Sequence, residues 1–186
     1  MKIFLNRILS KQIKRLLVIL KYLYFLITFI TFIILNKSVY SDTMILKEGE
    51  NLYIEKKYDK AKIFFKKLVE YGNSSAETMT GIMYLKGQGY KSNASIAAIW
   101  FYKASLKGNK NAQLILGTQY LYGYGVEKNL EKAYTWLDLS SKSKNVIVSN
   151  QALKFIKVIE SSIKENEIKI FKNQKKKITI KNHDFK

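Results

Sequence analysis

Apolar positions along the chain follow three different rules. Between Tyr22 and Leu35 they form one uncharged run of 14 residues with no polar face. From about Leu46 to Ile163 they recur at three- and four-residue spacing, the period of an amphipathic helix, and Gly-containing breaks cut that pattern into short lengths. After Lys172 the sequence turns polar and basic, with Lys175, Lys176 and Lys177 in a row.

The middle regime repeats itself. Leu114, Leu116, Tyr120 and Leu121 hold helical spacing until Gly123 and Gly125 break it. Asn129 then stands where an N-cap belongs, and Ala133, Trp136 and Leu137 form the apolar face of a second helix. A shift of 36 residues lays the same pair on the stretch before it: Ala76 falls on Ala112, Gly81 on Gly117, Tyr84 on Tyr120 and Gly87 on Gly123. The same shift pairs Gly89 with Gly125, Asn93 with Asn129, Ala97 with Ala133 and Trp100 with Trp136. A fixed period of roughly 20 to 50 residues marks a repeat architecture. An isolated Gly costs a helix interior about 1 kcal/mol relative to Ala, so its recurrence predicts a steric need. Gly81 and Gly117 are expected to face Ala97 and Ala133 so that paired helices approach closely, with the Tyr and Trp positions filling the layer between pairs.

This pattern resembles the Sel1-like repeat, a relative of the tetratricopeptide repeat. Ala112, Leu116, Gly117, Tyr120, Gly123, Gly125, Val126, Ala133 and Trp136 match its signature. The first copy departs from it with Thr80 for Leu and Tyr90 for Val; both copies carry Asn93 or Asn129 where Asp is usual, and Ser140 replaces the last Ala. These exchanges keep capping and packing intact. The resemblance implies an all-α solenoid of antiparallel helix hairpins, with full units at 76–111 and 112–145. A degenerate first unit at 43–73 is expected from Tyr58, Asp59, Lys60 and Ala61 leading into Phe64, Phe65 and Leu68. Terminal repeats are atypical because one face has no neighbour. Ala152, Phe155, Ile156, Ile159 and Ile163 predict a capping helix within 146–171, followed by a basic flexible tail at 172–186.

Stacked hairpins expose a groove lined by the first helix of each unit. Tetratricopeptide geometry, transferred through the shared Gly positions, places Leu46, Glu50 and Tyr53 there from the first unit. It adds Thr78, Ile82 and Leu85 from the second, and Leu114, Thr118, Leu121 and Tyr122 from the third. Leu85 and Leu121 are equally suited to finishing the core. The resemblance implies a scaffold for a protein or peptide partner.

Residues 1–41 read as a targeting segment. Lys2, Arg7, Lys11, Lys14, Arg15 and Lys21 precede the uncharged run, which has the length of a signal-peptide core, and Val39-Tyr40-Ser41 offers a cleavage site. Residues 16–35 could instead serve as an uncleaved membrane anchor, with Lys21 reaching back to the interface. Either way the repeats are expected outside the cytoplasm, in the periplasm or beyond it.

Charge and chemistry change the picture little. The formal charge is +19, and the 145 residues after Ser41 carry 26 basic against 14 acidic groups, or +12. Such an excess favours anionic partners, and a basic membrane-surface or nucleic-acid binder acting through the Lys-rich tail is the alternative function. Against nucleic acid stand the two Arg residues, both before residue 42, and aromatics placed at repeat-packing positions. There is no Cys, and the one His, His183, lies near the C-terminus, which removes thiolate sites and multi-imidazole chemistry. No nucleophile, phosphate-loop or dinucleotide signature occurs, and Gly87-Gln88-Gly89 and Gly123-Tyr124-Gly125 recur as turns of the repeat. Close acids such as Glu165 and Glu167 have no apolar pocket in view. No enzyme activity, cofactor, metal or small-molecule substrate is expected.

Overall fold

The computed structural model describes residues 2–163, with side chains only in part before Asp42. Residues 164–171 of the expected capping segment, the basic tail at 172–186, His183, Glu165 and Glu167 lie outside the described residues. So do the side chains of Val39, Tyr40 and Ser41.

Among the described residues the chain is all-α, with seven helices: α1 (Lys2–Ile54), α2 (Tyr58–Glu70), α3 (Ser74–Lys86), α4 (Ala94–Leu106), α5 (Lys110–Tyr122), α6 (Leu130–Ser141) and α7 (Val146–Ser162). It divides into two units, Met1–Met44 and Ile45–Lys186. Helix α1 runs unbroken through Ser41. The reason is compositional: no Gly or Pro precedes Gly49. In the first unit Phe25 and Phe29 stack 6.5 Å apart, and the hydroxyls of Thr28 and Thr31 donate back to the carbonyls of Phe25 and Thr28. Tyr22 to Phe32 carry exposed apolar side chains all round the helix. Among the described residues no helix is long and apolar enough to cross a membrane.

In the second unit, α3 pairs with α4 and α5 with α6, while α2 packs on α3, α4 on α5, and α7 on α6 and α5. The close approach expected at Gly81 and Gly117 is present, but against other partners. A Cβ on Gly81 would lie 2.7 Å from the Phe101 ring, and one on Gly117 would lie 2.6 Å from Leu137. Gly49 faces Phe65 in the same way at 2.8 Å. Phe65, Phe101 and Leu137 are each 36 residues apart and sit one helical turn beyond the Ala positions, where the larger side chain fills the seam.

The hairpin turn is set by caps at both ends. Gly87 and Gly123 take left-handed backbone at the ends of α3 and α5, and Asn93 and Asn129 accept from the amides of Ile96 and Lys132 at 2.9 and 2.8 Å. The second Gly of each turn has a different duty. A Cβ on Gly125 would lie 2.4 Å from the Ala94 carbonyl, so this turn rests directly on the start of the second helix of the preceding unit.

Two apolar clusters result. Ala61, Phe65, Leu68, Ala76 and Met83 form the first; the second runs from Ala97 and Phe101 through Leu116, Tyr120 and Trp136 to Ile159. Tyr120 and Trp136 are buried as expected, and Trp136 meets Tyr102 edge-on at 5.9 Å. Tyr84 and Trp100 are only half-buried: Tyr84 stacks on Tyr90 at 4.1 Å, and Lys103 lies 4.6 Å over Trp100. Within the described residues helix α7 runs to Ser162, and the rest of the expected capping segment, 164–171, is not among them. The hydroxyls of Ser161 and Ser162 turn back onto the carbonyls of Val158 and Ile159, and Ile163 is extended.

Candidate functional site: a groove along the first helices

The first helix of each unit buries one face against its partner and leaves another open. Those open faces meet in a groove. One cavity, about 360 Å³, is lined by Glu50 of α1, Thr78, Met79 and Ile82 of α3, Leu114 and Ile115 of α5, and Gln151 of α7, with Ser75, Asn109 and Asn111 at its edge. A second cavity of about 430 Å³ shares Leu114, Ile115 and Gln151 and continues along α5 and α7 through Thr118, Lys154, Phe155 and Val158.

Of the ten residues expected in the groove, Glu50, Thr78, Ile82, Leu114 and Thr118 line these two cavities. Thr78 is 4% exposed and its hydroxyl donates to the Ser74 carbonyl at 2.7 Å, so it contributes floor. Leu121 is a correction. It is 5% exposed and belongs to the second cluster, because α5 turns residues 116, 117, 120 and 121 toward its packing partners. Leu85 packs partly buried against that cluster, and Leu46 and Tyr53 pack against the first. The Tyr53 hydroxyl donates to Gln88 Oε1, and Gln88 in turn donates to the Tyr58 hydroxyl at 2.9 Å, which ties the first hairpin to the Gly-x-Gly turn beyond it. Tyr122 is exposed and meets Phe155 edge-on at 6.3 Å.

The contribution of α7 was missed, although a signal for it exists. Asn73, Asn109 and Asn145 lie 36 residues apart, and each caps the helix that follows it. Asn145 accepts from the amides of Ile147 and Val148 at 3.0 and 3.4 Å. Helix α7 is therefore in register as the first helix of a further unit. Adding 36 to Ile115 and Thr118 gives Gln151 and Lys154.

Polar groups elsewhere on these helices are committed to structure. Glu77 pairs with Lys107 at 2.7 Å, and Lys107 also donates to the Gly72 carbonyl at 2.9 Å. One unit on, Lys110 donates to the Leu139 carbonyl at 2.8 Å, the Ser140 hydroxyl donates to the Lys110 carbonyl at 2.9 Å, and Gln113 donates to the Ser105 carbonyl at 3.0 Å. These clamps close the open ends of the α3/α4 and α5/α6 hairpins. Among the described residues no three His, Cys, Asp or Glu side chains come together to hold a metal ion.

Comparison with known proteins agrees with this geometry. The Sel1 repeat matches residues 74–109 and 110–145, whose starts coincide with α3 and α5. The fold is similar to that of a protective antigen present in uropathogenic Escherichia coli strains, described as displaying an SLR fold, with a TM-score of 0.64, 26% identity, and cover of 72% of this chain and 29% of that one. It is also similar to a Sel1 repeat protein from Oxalobacter formigenes, with a TM-score of 0.52, 32% identity, and cover of 56% of this chain and 41% of that one. The chain thus spans less than half the length of either structure. No curated protein matches it. The chain is a helical repeat scaffold, its hairpins packed in succession. Residues 74–145 of it match two consecutive Sel1 repeats.

Proposed function

We propose that the chain is a non-catalytic, exported scaffold that binds a protein or peptide segment in the groove formed by α1, α3, α5 and α7. The groove carries the reading: it is open, mixed apolar and amide in lining, and formed by four helices, of which α3, α5 and α7 share the repeat register. Export is supported by the basic start of the chain and by the helical stretch from Tyr22 to Phe32, apolar on every side, a form suited to a leader or an anchor rather than to a half-exposed surface helix. A role met by a host, as for the similar protective antigen, agrees with that placement.

The binding test uses Val158→Arg with Gln151→Arg, two exposed positions on the groove wall. Affinity capture from envelope fractions should lose its partner while the melting temperature stays within a degree or two of the parent, since exposed substitutions change stability by only about 0.5 kcal/mol. Unchanged capture would count against the groove. For export, the mass of the N-terminal peptide from the native host separates the forms. A start at Asp42 means a released scaffold, and a retained Met1 or Lys2 means an anchored one.

A further inference from the structure

The groove has unlike halves. Glu50, Asn111 and Gln151 surround one cavity, while Leu114, Ile115, Phe155 and Val158 dominate the other, where Lys154 is the only cation. Among the described residues, the side chains of Glu50, Asn111, Gln151 and Lys154 make no hydrogen bond or ion pair, in contrast to the clamped Glu77, Lys110 and Gln113 of the same helices. An unengaged primary amide offers both a donor and an acceptor, the complement of a main-chain peptide unit. A helix has spent those groups internally, so two such amides favour an extended ligand over a helical one. One lysine and no arginine in the lining is too little positive charge for a phosphate backbone, whose binding rests on neutralising several phosphates.

We propose that the groove takes an extended segment of another protein carrying an apolar anchor residue next to a carboxylate. The anchor enters between Leu114, Ile115, Phe155 and Val158, the carboxylate meets Lys154, and Asn111 and Gln151 hold the main chain. Glu50 at the other end accepts a basic residue and repels an acidic one, so the two charges fix the direction in which the segment lies. This inference rests on the groove-binding reading above and adds the chemistry of the ligand.

The test selects random short peptides displayed on phage against the full-length chain. Fluorescein-labelled copies of the enriched peptides are then measured by anisotropy. Enriched sequences should place an acidic residue beside a bulky apolar one, and Lys154→Glu should weaken them about tenfold, with Lys154→Arg retaining them. Glu50→Lys should remove the preference for a basic residue at the other end. Circular dichroism should be unchanged in all three variants. If Val158→Arg abolishes binding but Lys154→Glu does not, the groove binds peptides and the proposed ligand chemistry is wrong. If neither substitution matters, the groove-binding reading fails as well. A dimer in light scattering that Val158→Arg dissolves would make the occupant a second copy and overturn the proposal.

Discussion

Gly125 and Gly108 share a left-handed backbone but not its surroundings. Their φ angles are 77° and 85°, yet a Cβ on Gly108 would meet nothing within 4 Å, whereas one on Gly125 would press into the Ala94 carbonyl at 2.4 Å. Gly108→Ala should therefore cost only the left-handed penalty, about 1–2 kcal/mol. Gly125→Ala adds a backbone clash that must push a turn off its neighbour, and should cost about 3 kcal/mol or more. Urea unfolding of the two variants measures the difference directly. Tyr134 gives a second expectation at this scale. Burial pushes its phenol up to about 12, with the Glu160 and Asp138 carboxylates adding to the effect. The folded state holds this proton more tightly than the unfolded chain, so stability from this source is whole below about pH 10 and falls as pH rises toward 12. Alkaline melting curves should show that decline, and Tyr134→Phe should reduce it.

At the scale of the element, the capping asparagines set where each helix begins. Asn145→Ala should cost about 1 kcal/mol, and the cost should fall on α7, which sits at the end of the described stack. Hydrogen exchange should speed up in the first turn of α7 and leave α3 untouched. The same caps show how much of the fold was legible. Gly, Asn, Ala and Trp positions at one offset carried the hairpins, because each answers a local demand for a turn, a cap or a close approach. The partner of Gly81 was misread as Ala97, since spacing gives which residues share a face but not how far two helices slide along each other; Phe101 fills that seam. In the groove, Leu121 and Leu114 lie on α5 seven residues apart and read alike by hydropathy. Only the angle at which α5 meets its partners turns one into the core and leaves the other on the groove.

Across the repeat region, the division of the core into two clusters has a mechanical consequence. Ala61, Phe65, Leu68, Ala76 and Met83 join the end of α1 to α2 and α3, while the larger cluster spans α4 to α7, with Ile82, Tyr84 and Leu85 of α3 packed at its edge. Helix α3 is thus the shared wall, and in a linear stack each unit is stabilised mainly by its neighbours. Leu68→Ala and Leu137→Ala remove the same atoms from fully buried sites, and each should cost about 2–5 kcal/mol. Their effects should differ in place. Native-state hydrogen exchange of the Leu68→Ala variant should lose protection in α2 and the end of α1 while α5 and α6 keep theirs; Leu137→Ala should reverse that pattern. Equal loss along the whole region would mean that α3 couples the clusters into one cooperative block. The groove would then share that rigidity, because its lining residues Thr78, Met79 and Ile82 belong to the same helix. Uneven loss would let the α1 end, with Glu50, open independently of the α5 and α7 wall.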